Sequence, residues 1–433
     1  MVKIYVSGKK YDLAANGRTD DTKKLNMALE RAGKTGAVVS LPAGTYRING
    51  HLRIPPNVTL EGVLRTPPMP QQSNFVSTGV LGTTLLAYAG RNDPDGLPFI
   101  TLKGQGSVVK GLSIYYPEQV HPTGENDEFI PYPWTIRNGP TRGPIDGKFD
   151  GANNAVIDVL LVNSYKGIYL SEHSRRHVIR RVYGQPLFRG IEIDGCFDVG
   201  RIEDVHFWPF WINWQHNKRV RQLIARDAVA LILRRTDWQI VENFFCFGYQ
   251  TGIRLEQSPT DHGTNEQGQV KPREANGQLT NLNLDSVGIG IDVHATKPQG
   301  VQVANVNAAL GSYKDLYSER RAIWGREGMK GALSVRGLSV WGGFDEVVQW
   351  EAENGQLLLS SSILAAWAGP SAINIEKGRA MIHGNCFTQP LGKKSVTVGS
   401  GAGTVTIFHN QLSGNPIENH GPRTTMSDNP QEA

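Results

Sequence analysis

Glu192 and Asp194 stand two residues apart in the run Gly190-Ile191-Glu192-Ile193-Asp194, and the same alternation returns in Gly252-Ile253-Arg254-Leu255-Glu256 and Gly290-Ile291-Asp292-Val293-His294. If the aliphatic members of each run point inward, every second residue points out. The outward set is then Tyr169/Ser171, Glu192/Asp194, Arg254/Glu256, Asp292/His294 and Asn374/Glu376. Glu192, Asp194, Glu256 and Asp292 are the candidate catalytic carboxyls. Two acids on one strand, with Cα atoms about 7 Å apart, can divide acid and base work, and crowding raises the pKa of one and so supplies the acid. Arg254 and His294 are candidates for binding, for neutralising charge and for taking a proton, and His206 in Glu203-Asp204-Val205-His206-Phe207-Trp208 is a further base. Each residue also has a plain structural reading. Outward positions are polar on any strand, a histidine such as His206 is often a half-buried hydrogen-bonding group, and His173 to Arg181, a second basic candidate, reads more readily as a solvated turn.

The elements that must position these groups repeat. Gly167-Ile168-Tyr169-Leu170-Ser171 matches Gly190 to Asp194 at an offset of 23 residues, with short β-branched runs and turns between them and no helix. A period of that size built from strands points to a solenoid of stacked β-coils, in which neighbouring coils lie about 4.8 Å apart. The predicted inward positions are Ile168/Leu170, Ile191/Ile193, Ile253/Leu255, Ile291/Val293 and Ile373/Ile375. About ten such coils are expected. Residues 64–84, 117–152 and 257–277 read as insertions, 311–330 as one with a short helix, and 421–433 as a disordered tail.

The bulk composition sets limits. The chain has 433 residues, 49 of them glycine and 24 proline, which suits many tight turns, and a net charge of only +5. No basic tract or nucleic-acid motif is present. The three cysteines, at 196, 246 and 386, are too few and too scattered for a disulfide framework or a zinc site. No apolar stretch has the length of a membrane span, and the first residues lack the apolar core of a signal peptide.

Residues 1–63 form a cap. Thr19 or Asp20 is placed to start a helix, Leu25, Ala28, Leu29 and Ala32 follow at helical spacing, and Gly33 ends it. An open solenoid end exposes core and strand edges, so a covering helix is physically required. Asp12-Leu13-Ala14-Ala15-Asn16-Gly17-Arg18-Thr19-Asp20-Asp21-Thr22, with Leu41-Pro42-Ala43-Gly44-Thr45-Tyr46 and Asn57-Val58-Thr59-Leu60-Glu61-Gly62-Val63 after it, resembles the N-terminus of the pectate-lyase-like superfamily. That group comprises right-handed parallel β-helices: polysaccharide lyases, glycoside hydrolases and phage tailspikes. The lead-in Leu-Ala-Ala-Asn-Gly-Arg departs from the group's usual Gly-Ala-x-Gly-Asp-Gly. The resemblance implies an all-β, right-handed parallel β-helix with an N-terminal capping helix: residues 1–63 as cap and first coils, 64–420 as one continuous body, and 421–433 as tail.

The resemblance also implies a polysaccharide as partner and an extracellular setting, with a signal absent from the sequence in hand. It carries over no catalytic residue. The Asn-Thr-Asp, Asp-Asp and Gly-His-Gly series of polygalacturonases is missing downstream, as is the Trp-Ile-Asp-His of classical pectate lyases. Paired carboxyls favour hydrolysis, which needs them roughly 5–5.5 Å apart for retention and about 6.5–9.5 Å for inversion. In that case no cofactor is needed. β-Elimination instead needs a base and a neutralised uronate, with Arg254 and His294 in those parts and Ca²⁺ as the implied cation. Tyr169, Trp211 and Trp214 are candidate sugar platforms, the last two from a dense cluster with Phe207, Trp208 and Phe210 that packs equally well as core. A non-catalytic, tailspike-like binding protein, as a side-by-side homotrimer, is the expectation from a different class.

Overall fold

The computed structural model describes residues 3–5, 12–66, 82–139, 150–171, 173–209, 217–261, 263–264, 267–388 and 392–430. They fall into two compact units, Met1–Ile224 and Ala225–Ala433. Each unit is a stretch of right-handed parallel β-helix, in which successive coils contribute one strand to each of two sheets.

In the first unit, the first sheet pairs Val38–Ser40, Thr59–Glu61, Val108–Tyr115, Ala155–Val162, Val178–Gly184 and Arg201–Phe207 in parallel. The second sheet pairs Leu52–Ile54, Ile100–Leu102, Trp134–Asn138, Lys166–Ser171 and Arg189–Asp194. The helix Thr22–Gly33 buries Leu25, Ala28, Leu29 and Ala32 completely, as the spacing predicts. Its cap is Asp21 and not Thr19 or Asp20. The Asp21 carboxylate turns away from the helix and accepts the Ala14 and Ala15 amides at 2.7 and 3.0 Å, while Asp20 accepts the Thr22 amide at 3.0 Å.

In the second unit, the second sheet runs through Val229–Leu233, Thr251–Leu255, Ile289–Val293, Arg321–Gly325, Glu346–Trp350, Ser371–Ile375, Lys394–Val398 and Ile417–Asn419, again all parallel. With the five strands of the first unit this exceeds the ten coils expected. All ten predicted inward side chains are at most 1% exposed. Each such aliphatic contributes roughly 1.5–3 kcal/mol by leaving water.

Three segments differ from expectation. The 117–152 insertion contains a full strand, Trp134–Asn138, which pairs on both sides; proline-rich flanks conceal its alternation. The tail contains the strand Arg423–Ser427, paired with Ala402–Phe408. The 311–330 region holds a short helix as expected, the 3₁₀ helix Gly311–Leu316, but also the strand Arg321–Gly325, which was not expected.

One backbone device repeats along the first sheet. Asp158, Arg181 and Asp204 in the first unit, and Asn243, Asn281 and Asn305 in the second, have φ between 52 and 56° at the middle of their strands. A left-handed residue there bends the strand at each coil, and Asn and Asp tolerate it better than other non-glycine residues. The amides then stack, Asn281 Nδ2 donating to Asn243 Oδ1 at 3.1 Å and Asn305 Nδ2 to Asn281 Oδ1 at 3.2 Å.

Candidate active site

The outer face of the second unit's second sheet carries two adjacent rows of side chains. Strand register aligns Arg254, Asp292, Trp324, Gln349 and Asn374 in one row. The backbone ladder continues one step further, Arg326 N to Val293 O, Glu351 N to Gly325 O and Glu376 N to Trp350 O, so Glu256, His294, Arg326, Glu351 and Glu376 form the second. Between the rows point Leu255, Val293, Gly325, Trp350 and Ile375. Gly325 is required there: a Cβ would stand 2.3 Å from the fully buried Trp350 indole. The large indole below and the missing side chain above together support the site floor.

Asp292 is the most enclosed group, with 0% exposure. Its Oδ1 accepts Arg326 Nε at 2.7 Å, and its Oδ2 accepts Arg254 Nε at 3.2 Å and meets His294 Nε2 at 3.1 Å. Burial alone would raise its pKa, but the hydrogen bonds and positive charge of His294 and Arg326 overcome burial and hold the carboxyl at about 2. Glu256, half-buried, accepts Arg234 Nε at 2.8 Å. The 257–277 loop leaves directly after it and closes on itself, with Arg273 Nε donating to Ser258 O at 2.8 Å.

Two coils further on the donors are neutral. Trp324 Nε1 donates to Glu351 Oε2 at 3.0 Å. Gln349 Nε2 donates to Glu351 Oε1 at 3.0 Å and to Glu376 Oε1 at 2.9 Å. Asn374 Nδ2 donates to the Gln349 Oε1 and Glu376 Oε1 atoms, both at 3.1 Å. Because one nitrogen reaches both carboxylates, the two Oε1 atoms lie no more than about 6 Å apart, below the separation an inverting glycosidase uses. Glu351 is half-buried and anchored through both oxygens, whereas Glu376 is exposed and anchored through Oε1 alone. Trp324, 9% exposed, lies between Arg326 and Arg321, whose guanidinium carbons are 3.3 and 4.1 Å from its ring centroid. Arg321 Nε also pairs with Glu346 Oε2 at 3.4 Å. Burial pushes the Glu346 carboxyl up; Arg321 opposes this, and the charges of Asp345 and Glu376 add to it.

The first unit holds the other predicted residues. Glu192 and Asp194 are 8% and 2% exposed, and both are engaged by neighbours. Register sets Glu192 beside Tyr169 and Asp194 beside Ser171. Tyr169 stacks on Trp134 at 5.3 Å and carries the Arg137 guanidinium 5.2 Å from its ring centroid. His206 lies on the first sheet, beside Tyr183, and so not on the sheet of Glu192 and Asp194; burial lowers its pKa. Trp211 and Trp214 lie outside the described residues. The structure thus brings Arg254, Glu256, Asp292 and His294 together in one unit, and Tyr169 with Glu192 and Asp194 in the other. Among the described residues no group of three His, Cys, Asp or Glu is placed to hold a metal, and no helix is long and apolar enough to cross a membrane.

Trp324, Arg326, Gln349 and Glu351 were not foreseen. Their strands read Ile323-Trp324-Gly325-Arg326 and Val348-Gln349-Trp350-Glu351, where glycine and tryptophan replace the second inward aliphatic. A template of alternating Ile and Leu passes over both, although the Gly–Trp exchange across neighbouring coils conserves volume.

Residues 5–102 match the family model described as rhamnogalacturonase A/epimerase, pectate lyase-like, and the resemblance to the pectate-lyase-like superfamily holds. No curated protein matches the sequence. Among solved structures, the chain is similar to a lidless DFA-IIIase from Arthrobacter chlorophenolicus A6 in complex with GF2, at 11% identity and TM-score 0.61 over 99% of both chains. It is also similar to the A-module of a mannuronan C-5 epimerase from Azotobacter vinelandii, at 14% identity and TM-score 0.50, covering 98% of this chain and 99% of that one. A third likeness is to the N-terminal fragment of gene product 12 of bacteriophage Phi29, at 12% identity and TM-score 0.55, covering 97% of this chain and 71% of that one. At these identities the likenesses speak for the fold.

Proposed function

We propose that the protein is an extracellular glycoside hydrolase acting on a polysaccharide, with Glu351 and Glu376 as its catalytic carboxyls. The observation that carries this is the Gln349 amide, itself only 4% exposed, held between two carboxylates on the outer face of the sheet. Glu351, fixed through both oxygens, is suited to attack the anomeric carbon. Glu376 keeps Oε2 free of hydrogen-bond partners among the described residues, so that atom can carry the proton for the leaving oxygen. The proton departs with the leaving oxygen, and water enters in that group's place: Glu376, now a carboxylate, deprotonates it, it displaces Glu351 from the sugar, and the product keeps its anomeric configuration. Asp292 serves as an anchor for Arg254, Arg326 and His294, which face the substrate beside the pair. The similarity to a DFA-IIIase and to an epimerase A-module supports a carbohydrate ligand.

The test is mass spectrometry of products from a panel of plant and microbial polysaccharides, with the anomer followed by NMR. Products bearing one added water and retained configuration are expected. Water-deficient, unsaturated ends would replace this reading with elimination around Arg254 and His294, and no products from any member would favour a non-catalytic binding protein.

A further inference from the structure

The first sheet of the second unit, which pairs Gln239–Phe247, Ala275–Asp285, Thr296–Ala309 and Lys330–Trp341 in parallel, has a second, different surface. Trp341 is 55% exposed at the end of its strand, and among the described residues its indole makes no hydrogen bond or ring contact. Its flat indole is therefore open to a ligand from solvent. Register places Ala309 beside Trp341 on the neighbouring strand and Asp285 beside Ala309 on the next. The floor between indole and carboxyl is therefore a single methyl, and the two walls stand on strands about 9.6 Å apart. Along one side of this trough run Asn283, Asn307 and Ser339, also in register. Asn307 Nδ2 donates to Asn283 Oδ1 at 2.9 Å, which leaves the other polar atoms of the exposed Asn307 amide facing solvent. Burial pushes the half-buried Asp285 carboxyl up, and Ser286 Oγ donates to it at 3.1 Å.

We infer that this trough, walled by Trp341 and Asp285 and floored by Ala309, is a glycan-binding surface for a neutral hexose unit, separate from the residues around Gln349. The flat indole offers a stacking face for the apolar side of a sugar ring. Asp285, Asn307 and Ser339 offer acceptors and donors for its hydroxyls. No cation stands in the two rows Phe245, Asn283, Asn307, Ser339 and Phe247, Asp285, Ala309, Trp341, and the only charge there is negative, so a uronate or sulfated sugar is disfavoured. The inference rests on the polysaccharide reading for its kind of ligand, but it does not require that the protein cleave anything.

Affinity electrophoresis through gels containing galactomannan, mixed-linkage β-glucan or arabinoxylan tests it, with alginate and polygalacturonate as the anionic arm. The full chain carrying Glu351→Gln is used so that cleavage cannot erode the polymer. At least one neutral polymer is expected to retard the protein. Trp341→Ala should weaken that retardation about tenfold, Trp341→Phe less, and Trp238→Ala, which removes a 64% exposed tryptophan elsewhere in the unit, not at all. Retardation by no neutral polymer, retardation unchanged in Trp341→Ala, or a Trp341→Ala effect on sedimented mass instead of retardation would each overturn the trough. Product formation by the wild-type chain is read separately, so loss of the trough and loss of the hydrolase reading remain distinguishable.

Discussion

Asp292 and Glu351 occupy neighbouring rows of the same sheet face, two coils apart, and are treated in opposite ways. Asp292 is wholly buried and surrounded by Arg254, Arg326 and His294, so its charge is over-neutralised and its carboxyl is held at about 2. Glu351 and Glu376 receive only neutral donors, from Trp324, Gln349 and Asn374, and reach solvent. A carboxylate locked among cations is a poor proton carrier, because releasing it from its partners costs several kcal/mol. A carboxylate steered by amides keeps its chemistry while losing its rotational freedom. The comparison separates an anchor from a reacting pair, although in sequence the three acids look alike.

The comparison breaks most sharply at the pair. Glu351→Gln and Glu376→Gln should each lower turnover by about 10²–10⁴-fold, with melting temperature and circular dichroism little changed, since neither side chain is part of the core. Turnover that survives both substitutions would remove the pair from the mechanism. Asp292→Asn should behave in the reverse manner, costing about 3–5 kcal/mol of stability in a denaturant titration because the Arg254 and Arg326 guanidiniums lose their counter-charge. The acid side follows from the depressed carboxyl. Its stabilisation is present above the unfolded value near 3.8 and is lost as pH falls through the folded value of about 2. Between pH 5 and 2 the wild type should therefore lose roughly 2 kcal/mol that the Asp292→Asn chain does not; equal losses in the two would remove Asp292 as the source. Gly325→Ala tests the floor both share. Its new methyl meets the Trp350 indole, so about 1–3 kcal/mol of stability should go, with activity falling as Trp324 and Arg326 shift.

The strand alternation was legible wherever both inward positions are aliphatic. Ile291 and Val293, both nearly unexposed, identify Asp292 and His294 as outward without any structure. The same rule assigns Glu376 outward from Ile373 and Ile375. Legibility ended where packing volume is shared between coils: Gly325 makes room for Trp350, and neither residue obeys the template alone. The pairing of Arg254 and Arg326 on one carboxylate was also out of reach, because it depends on coils 38 and 34 residues from Asp292 and 72 residues from each other. Strand Trp134–Asn138 was hidden for a simpler reason, since prolines on its N-terminal side resemble the punctuation of a loop.

Glu346 gives the smallest effect and the finest test of the contrast. It stands at the other edge of the same strand as Gln349, paired with Arg321, yet its carboxyl is pushed up where Asp292 is held down. The physical difference is the count of counter-charges: one guanidinium against burial and two nearby carboxylates, Asp345 and Glu376, compared with two guanidiniums and a histidine hydrogen bond at Asp292. For a carboxyl whose folded pKa lies above its unfolded value of 4.5, the stabilisation is full below that value and disappears as pH rises through the folded one. Wild-type stability should therefore decline as pH rises above 4.5. Glu346→Gln should flatten that stretch of the curve while leaving the loss below pH 4 intact, because that loss belongs to Asp292. Glu376→Gln, by removing one of the two neighbouring negative charges, should shift the decline to lower pH without abolishing it. A decline that is unchanged in Glu346→Gln would assign it to another carboxyl, with Asp285, also pushed up by burial, as the next to examine.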